Sequence, residues 1–137
     1  VHAVDRLKIA KALAKARSTE QQKLNLLVQL NVDNEDSKGG ISPEHSYQLC
    51  AEIAEIETIQ LRGFMLIPKP SLDIVDQQRP FAIARETMQT INQRLGLKLD
   101  TLSMGMSNDL ESAILEGSTM IRVGSDLFGP RTPHKNP

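Results

Sequence analysis

Hydrophobic and polar positions alternate in a few short stretches of this chain and recur with a helical period in the longer ones between them. In LNLLVQLNV, residues 24–32, Leu26, Val28, Leu30 and Val32 fall on one face of an extended segment, and Asn25, Leu27, Gln29 and Asn31 on the other. Successive side chains of a strand point to opposite faces, so one side suits packed helices while the partly polar side needs partners of its own. IQLRGFMLI, 59–67, reads as a second buried strand stopped by the prolines of PKPS. LKLDTLS (97–103) and STMIRVG (118–124) read as two more, and VHAV (1–4) as a short further one.

The segments between them carry apolar residues at helical spacing. Asp5 is placed to cap a helix with Leu7, Ala10, Leu13 and Ala14 on one stripe. After the loop at 34–42, Ser42 and Pro43 form a cap and first-turn pair for a helix bearing Tyr47, Cys50, Ile53 and Ala54. A third helix carries Phe81, Ala84, Met88, Ile91 and Leu95 and is closed by Gly96; NDLESAILEG makes the fourth, ended by Gly117. About five strands alternate with four helices, the signature of an α/β fold with a parallel sheet. A doubly wound nucleotide binder places a glycine-rich turn after its first strand, and no GxGxxG lies there. The glycines instead follow the last two strands, where a (β/α)8 barrel frequently builds its phosphate site.

Charge and composition narrow the function. Sixteen Lys and Arg against 17 Asp and Glu give a net charge of -1, without the excess of clustered cations that polyanion binding needs. One cysteine, no tryptophan, one tyrosine and three phenylalanines leave no disulfide framework and no stacking platform for bases. No apolar run approaches the roughly 20 residues that span a bilayer, and the start lacks a secretory signal's pattern. The expectation is a cytoplasmic protein without nucleic-acid or membrane partners.

Two turns of small residues, SMGMS (103–107) and RVGS (122–125), are the main chemical candidates. Glycine lets a backbone approach an anion and serine adds a hydroxyl, so Gly105, Ser107, Gly124 and Ser125 suit a shared phosphate cradle; they also suit ordinary turns. Asp109 and Glu111 occupy the first turn of the helix after SMGMS and would repel a phosphate on its axis, which favours GSDLFG as the main cradle. Arg122, flanked by Ile121 and Val123, shares a face with Met120 and Gly124. It either pairs with a strand-end carboxylate such as Asp100 or contacts a ligand. Cys50 reads as core, His2, His45 and His134 as scattered, and Asp33, Glu35 and Asp36 as a solvated loop lacking a calcium loop's later glutamate.

The run LSMGMSNDLESAILEGSTMIRVGSDLFGPR, together with HAVDRLKIA, LLVQLNVDNEDSKGGI and LRGFMLIP, resembles the pyridoxal 5'-phosphate homeostasis protein family, the YggS and PROSC group, over nearly the whole chain up to Arg131. The resemblance implies a (β/α)8 barrel of the alanine racemase amino-terminal type that holds pyridoxal 5'-phosphate at the carboxyl ends of its strands. It implies a role in vitamin B6 and amino or keto acid homeostasis, with no established catalytic reaction. Ser103, Met104, Gly105 and Ser107 of SMGMS, with Gly124 and Ser125, then correspond to the cofactor-binding turns. Arg122 matches the arginine that faces the pyridine nitrogen. The family's AVSKT-like strand with its Schiff-base lysine, and its FGEN and HFIG motifs, are not in this sequence. The chain therefore reads as about the last five βα units of the barrel over residues 1–131, with 132–137 a disordered tail. Self-association, or a missing amino-terminal barrel half, is the expected partner. The runner-up is a racemase-like enzyme using the same cofactor, and the third reading a barrel fragment with no ligand of its own.

Overall fold

A computed structural model describes residues 1–35 and 38–129. Three parallel strands, β1 (Leu24–Leu30), β2 (Ile59–Leu66) and β3 (Thr101–Ser103), form one sheet in the order β1-β2-β3. Between and around them run α1 (Leu7–Lys15), α2 (Pro43–Ala54), α3 (Ile74–Leu95), α4 (Leu110–Leu115) and the short α5 (Ser125–Phe128). Spatial order follows chain order without reversal, so the sheet has no switch point of the doubly wound kind and is an arc of the barrel kind.

Two further segments flank the arc without becoming strands. Residues 1–4 lie beside β1, with the Leu27 amide donating to the Val1 carbonyl at 2.8 Å and the Gln29 amide to that of Val4 at 2.9 Å. Residues 118–122 lie beside β3 through a single bridge, Ser103 to Met120. The expected five strands are thus three, and beside β3 side chains are the reason. Ser118 Oγ donates to the Met104 carbonyl at 2.7 Å and Thr119 Oγ1 accepts from the Leu102 amide at 2.8 Å, so hydroxyls displace part of the ladder. The expected strand 97–103 shrinks to its last three residues because the Asn92 side chain takes both the amide and the carbonyl of Leu99, at 2.8 and 2.9 Å.

Alternation on β1 works as the pattern demands. Leu26, Val28 and Leu30 join Leu49, Cys50 and Ile53 of α2 and Phe81, Ala84 and Ile91 of α3 in one buried cluster. Ser42 accepts from the His45 amide ahead of Pro43, and Gly96 ends α3 at a left-handed φ of 64°. Asp5 is not the cap of α1: Arg6 occupies that position, and the Asp5 carboxylate reaches the Gly40 amide at 3.2 Å. Gly63 lies where β1 and β2 slip register, and a Cβ there would stand 1.9 Å from the Thr101 carbonyl oxygen. Only glycine lets β2 and β3 approach so closely. The polar side chains Gln29 and Asn31 bond the Gly39 carbonyl and the Glu35 backbone, which fixes the following loop against the sheet. Asp36 of that loop, and the tail at 132–137, lie outside the described residues.

Candidate functional site

Two chain reversals at the carboxyl end of β3 and of the segment beside it build the site. After Ser103 the chain turns through Met104 and Gly105, and the Gly105 φ of 94° with its missing Cβ lets the turn rest on Ala113 of α4, only 2.6 Å from where a Cβ would be. The second reversal is tied to the first by the Met104 amide on the Met120 carbonyl at 3.0 Å and the Arg122 amide on the Gly105 carbonyl at 2.9 Å. These bonds bring the Ser125 hydroxyl to donate to that of Ser107 at 3.2 Å. The two small-residue turns therefore stand side by side.

They open on a cleft of about 550 Å³. One wall is Met106, Ser107, Asn108 and Asp109; a second is Arg122, Val123, Gly124 and Ser125; Pro68, Lys69, Pro70 and Ser71, after β2, make the third, with Gln77 of α3. Among the described residues no acceptor takes the amides of Gly124, Ser125 or Asp126, and nothing lies within 4 Å of a Cβ at Gly124. Free amides beside two hydroxyls form a donor set for an anionic oxygen cluster. Asp109 turns its carboxylate back onto the Met106 amide at 2.7 Å. Its charge keeps an anion towards the Ser125 side.

Arg122 reaches inwards from this cleft. Nη1 donates to the carbonyl and hydroxyl of Ser103 at 2.8 and 2.7 Å, and Nη2 to the Leu66 carbonyl at 3.0 Å. Burial lowers its pKa, and the Asp109 charge works the other way; guanidinium stays protonated throughout the physiological range. The Asp100 partnership does not form: Asp100 takes a two-pronged bond from Arg62, at 2.8 and 2.9 Å. His2 has its Nδ1 3.4 Å from Ser103 Oγ. Burial, then the amino terminus and Arg122, lower its pKa.

The other expected site residues are distributed unevenly. Ser103 is fully buried and acts beneath the cleft, as the acceptor of Arg122. Met104 belongs to the core and Gly105 to the packing of α4, and neither lines the cleft. Lys69, between two prolines after β2 on the rim where the sequence places a ligand, lines it as an exposed residue, with its amide on Asp33 Oδ2 at 2.7 Å. Cys50 is core, its thiol pushed up to about 12 by burial. Tyr47 on α2 lies with its ring 4.6 Å from the Arg94 guanidinium and does not line the cleft. Among the described residues no cluster of His, Cys, Asp and Glu is arranged to hold a metal, and no helix is long and apolar enough to cross a membrane.

Comparison with known proteins places this architecture. The chain is 46% identical over 131 residues to a pyridoxal phosphate homeostasis protein of Pseudomonas aeruginosa, covering 96% of this chain and 55% of the relative. It is 43% identical over 135 residues to the protein of that name from Escherichia coli K12, covering 95% and 55%. The chain thus spans about half the length of these curated relatives. Among solved structures, PipY of Synechococcus elongatus with PLP bound superposes with a TM-score of 0.82 at 32% identity, over 93% of this chain and 59% of that one. Alanine racemase from Corynebacterium glutamicum, at 16% identity, superposes with a TM-score of 0.72 over 94% of this chain and 36% of that one, which shows a shared fold. The α/β arc is of the TIM-barrel type that these structures contain. Residues 1–132 match the family described as alanine racemase, N-terminal domain, and the chain belongs to that family.

Proposed function

We propose that this chain holds the phosphate end of pyridoxal 5'-phosphate and serves the storage and supply of that cofactor in the cytoplasm, without catalysing a reaction. The observation that carries the reading is the 3.2 Å approach of the Ser107 and Ser125 hydroxyls beside the open amides of Gly124 and Ser125. A cleft of about 550 Å³ is of the size that small cofactors occupy. The donor set fits a phosphate, and Arg122, fixed deeper in, fits a pyridine ring nitrogen. Relatives named for pyridoxal phosphate homeostasis, and PipY solved with PLP bound, support the assignment.

When bound, the cofactor supplies an electron-withdrawing ring. Arg122, a permanent cation, disfavours a proton on the ring nitrogen and so weakens that withdrawal. This suits carrying the cofactor more than transforming a substrate with it. Among the described residues Lys69 is the one lysine that lines the cleft, and it stands on the rim; the reading is that the cofactor is held here without a covalent bond. The racemase-like alternative requires a tyrosine facing the ring, and Tyr47 is engaged elsewhere with Arg94.

Titration of the chain with pyridoxal 5'-phosphate, followed by cofactor absorbance, tests the reading. Ser125→Ala is expected to weaken binding about tenfold, the scale of a hydrogen bond to a charged group. Borohydride treatment of the loaded chain is expected to leave no lysine stoichiometrically labelled. Equal affinity in the variant, or one lysine fully labelled, would count against it.

A further inference from the structure

We infer that Lys69 is the cation that makes this cleft prefer a phosphorylated ligand over its unphosphorylated counterpart, an inference that rests on the cofactor reading and adds a residue to it. A phosphate monoester carries about -1.5 to -2 charges near neutrality and needs positive charge beside it as well as hydrogen-bond donors. Gly124, Ser125 and Ser107 supply dipoles only. Among the described residues Arg122 is the other cation lining the cleft, yet its guanidinium is held by Ser103 and the Leu66 carbonyl, below the serine pair. Asp109 adds a negative charge to the same wall.

Lys69 is left to balance the account. Among the described residues no carboxylate forms an ion pair with its ammonium, whereas Lys38, on the loop after β1, is paired with Glu35 at 2.8 Å. Its backbone is already ordered, since Pro68 is buried, Pro70 restricts the following φ, and the Lys69 amide is bonded to Asp33. Only the side chain must be immobilised when an anion arrives, which lowers the entropic cost of the contact. Lys69 also borders a neighbouring cleft of about 510 Å³ with Asp33, Asp76 and Arg79.

The experiment is an equilibrium titration of the full chain with pyridoxal 5'-phosphate and, separately, with pyridoxal, using wild type, Lys69→Met, Lys69→Arg and Ser125→Ala, each first shown to melt like wild type. Lys69→Met is expected to bind pyridoxal 5'-phosphate about fivefold more weakly, the scale of a partly exposed ion contact, with pyridoxal binding unchanged. Lys69→Arg is expected to retain the preference, and inorganic phosphate to compete less well in Lys69→Met than in wild type. If Lys69→Met keeps wild-type affinity while Ser125→Ala loses it, the role of Lys69 is overturned and the cofactor site stands. Equal losses for both ligands in Lys69→Met would overturn a charge role. If neither Ser125→Ala nor Lys69→Met alters binding, the cofactor reading fails and the inference falls with it.

Discussion

Arg122 Nη1 lies 2.7 Å from the hydroxyl and 2.8 Å from the carbonyl of Ser103, a residue 19 positions earlier, and Nη2 crosses to the Leu66 carbonyl at 3.0 Å. One guanidinium therefore staples the last flanking segment to β3 and to the end of β2. It replaces ladder hydrogen bonds that the flanking segment does not form.

Arg122→Met keeps most of the side chain's volume and removes all three bonds, leaving carbonyl oxygens of the arc short of donors. A loss of ~2–3 kcal/mol is expected. Ser103→Ala removes one acceptor and is expected to cost ~1 kcal/mol. Chemical denaturation at fixed protein concentration checks both, and a smaller effect for Arg122→Met than for Ser103→Ala would contradict the staple.

His2 gives the fold a dependence on pH. Its folded pKa is below the ordinary 6.5, so the unfolded chain takes up its proton first on acidification. The contribution is complete above pH 6.5 and is lost as pH falls from there through the folded pKa. Asp5 and Asp100, depressed below 3.8 by bonds from Arg6 and Arg62 respectively, act in a separate window: their contributions are present above that value and lost below it. Melting temperature is expected to fall as pH drops below about 6.5 in wild type and to vary less in His2→Asn. Parallel profiles in the two proteins would remove His2 from this role.

Gly63→Ala places a methyl group 1.9 Å from the Thr101 carbonyl oxygen, at a φ of 150° that already disfavours a side chain. The expectation is a loss exceeding ~3 kcal/mol, or failure to accumulate as folded protein. Gly124→Ala, at an open position with a φ of -127°, is expected to melt within about 2 °C of wild type. Soluble yield and thermal melting of the pair decide the matter.

Both margins of the arc carry backbone groups without a ladder partner among the described residues, and Val1, Met120 and Ile121 are exposed there. Parallel sheets are found with both faces covered and exposed edges recruit other strands. Sedimentation at micromolar concentration is expected to show species larger than one chain. A single monomeric boundary with one sharp unfolding transition would show that the arc is self-sufficient.

The local features were legible in the sequence because their causes are local. Alternation at Leu26, Val28 and Leu30, the Ser42 and Pro43 start of α2, and Gly96 at the end of α3 each depend on neighbours a few residues away, and each appears where the pattern puts it. The motif order likewise identified the family. Only the tertiary structure decided how far the strands extend, since Asn92 claims the backbone of Leu99 and the hydroxyls of Ser118 and Thr119 claim the carbonyl end of β3. It alone brought His2 to Ser103 across 101 positions and gave Asp100 to Arg62 and Ser103 to Arg122. Hydrophobic period records which face of an element is buried, whereas pairings between polar groups depend on which elements the fold makes adjacent, and no periodicity encodes that distance.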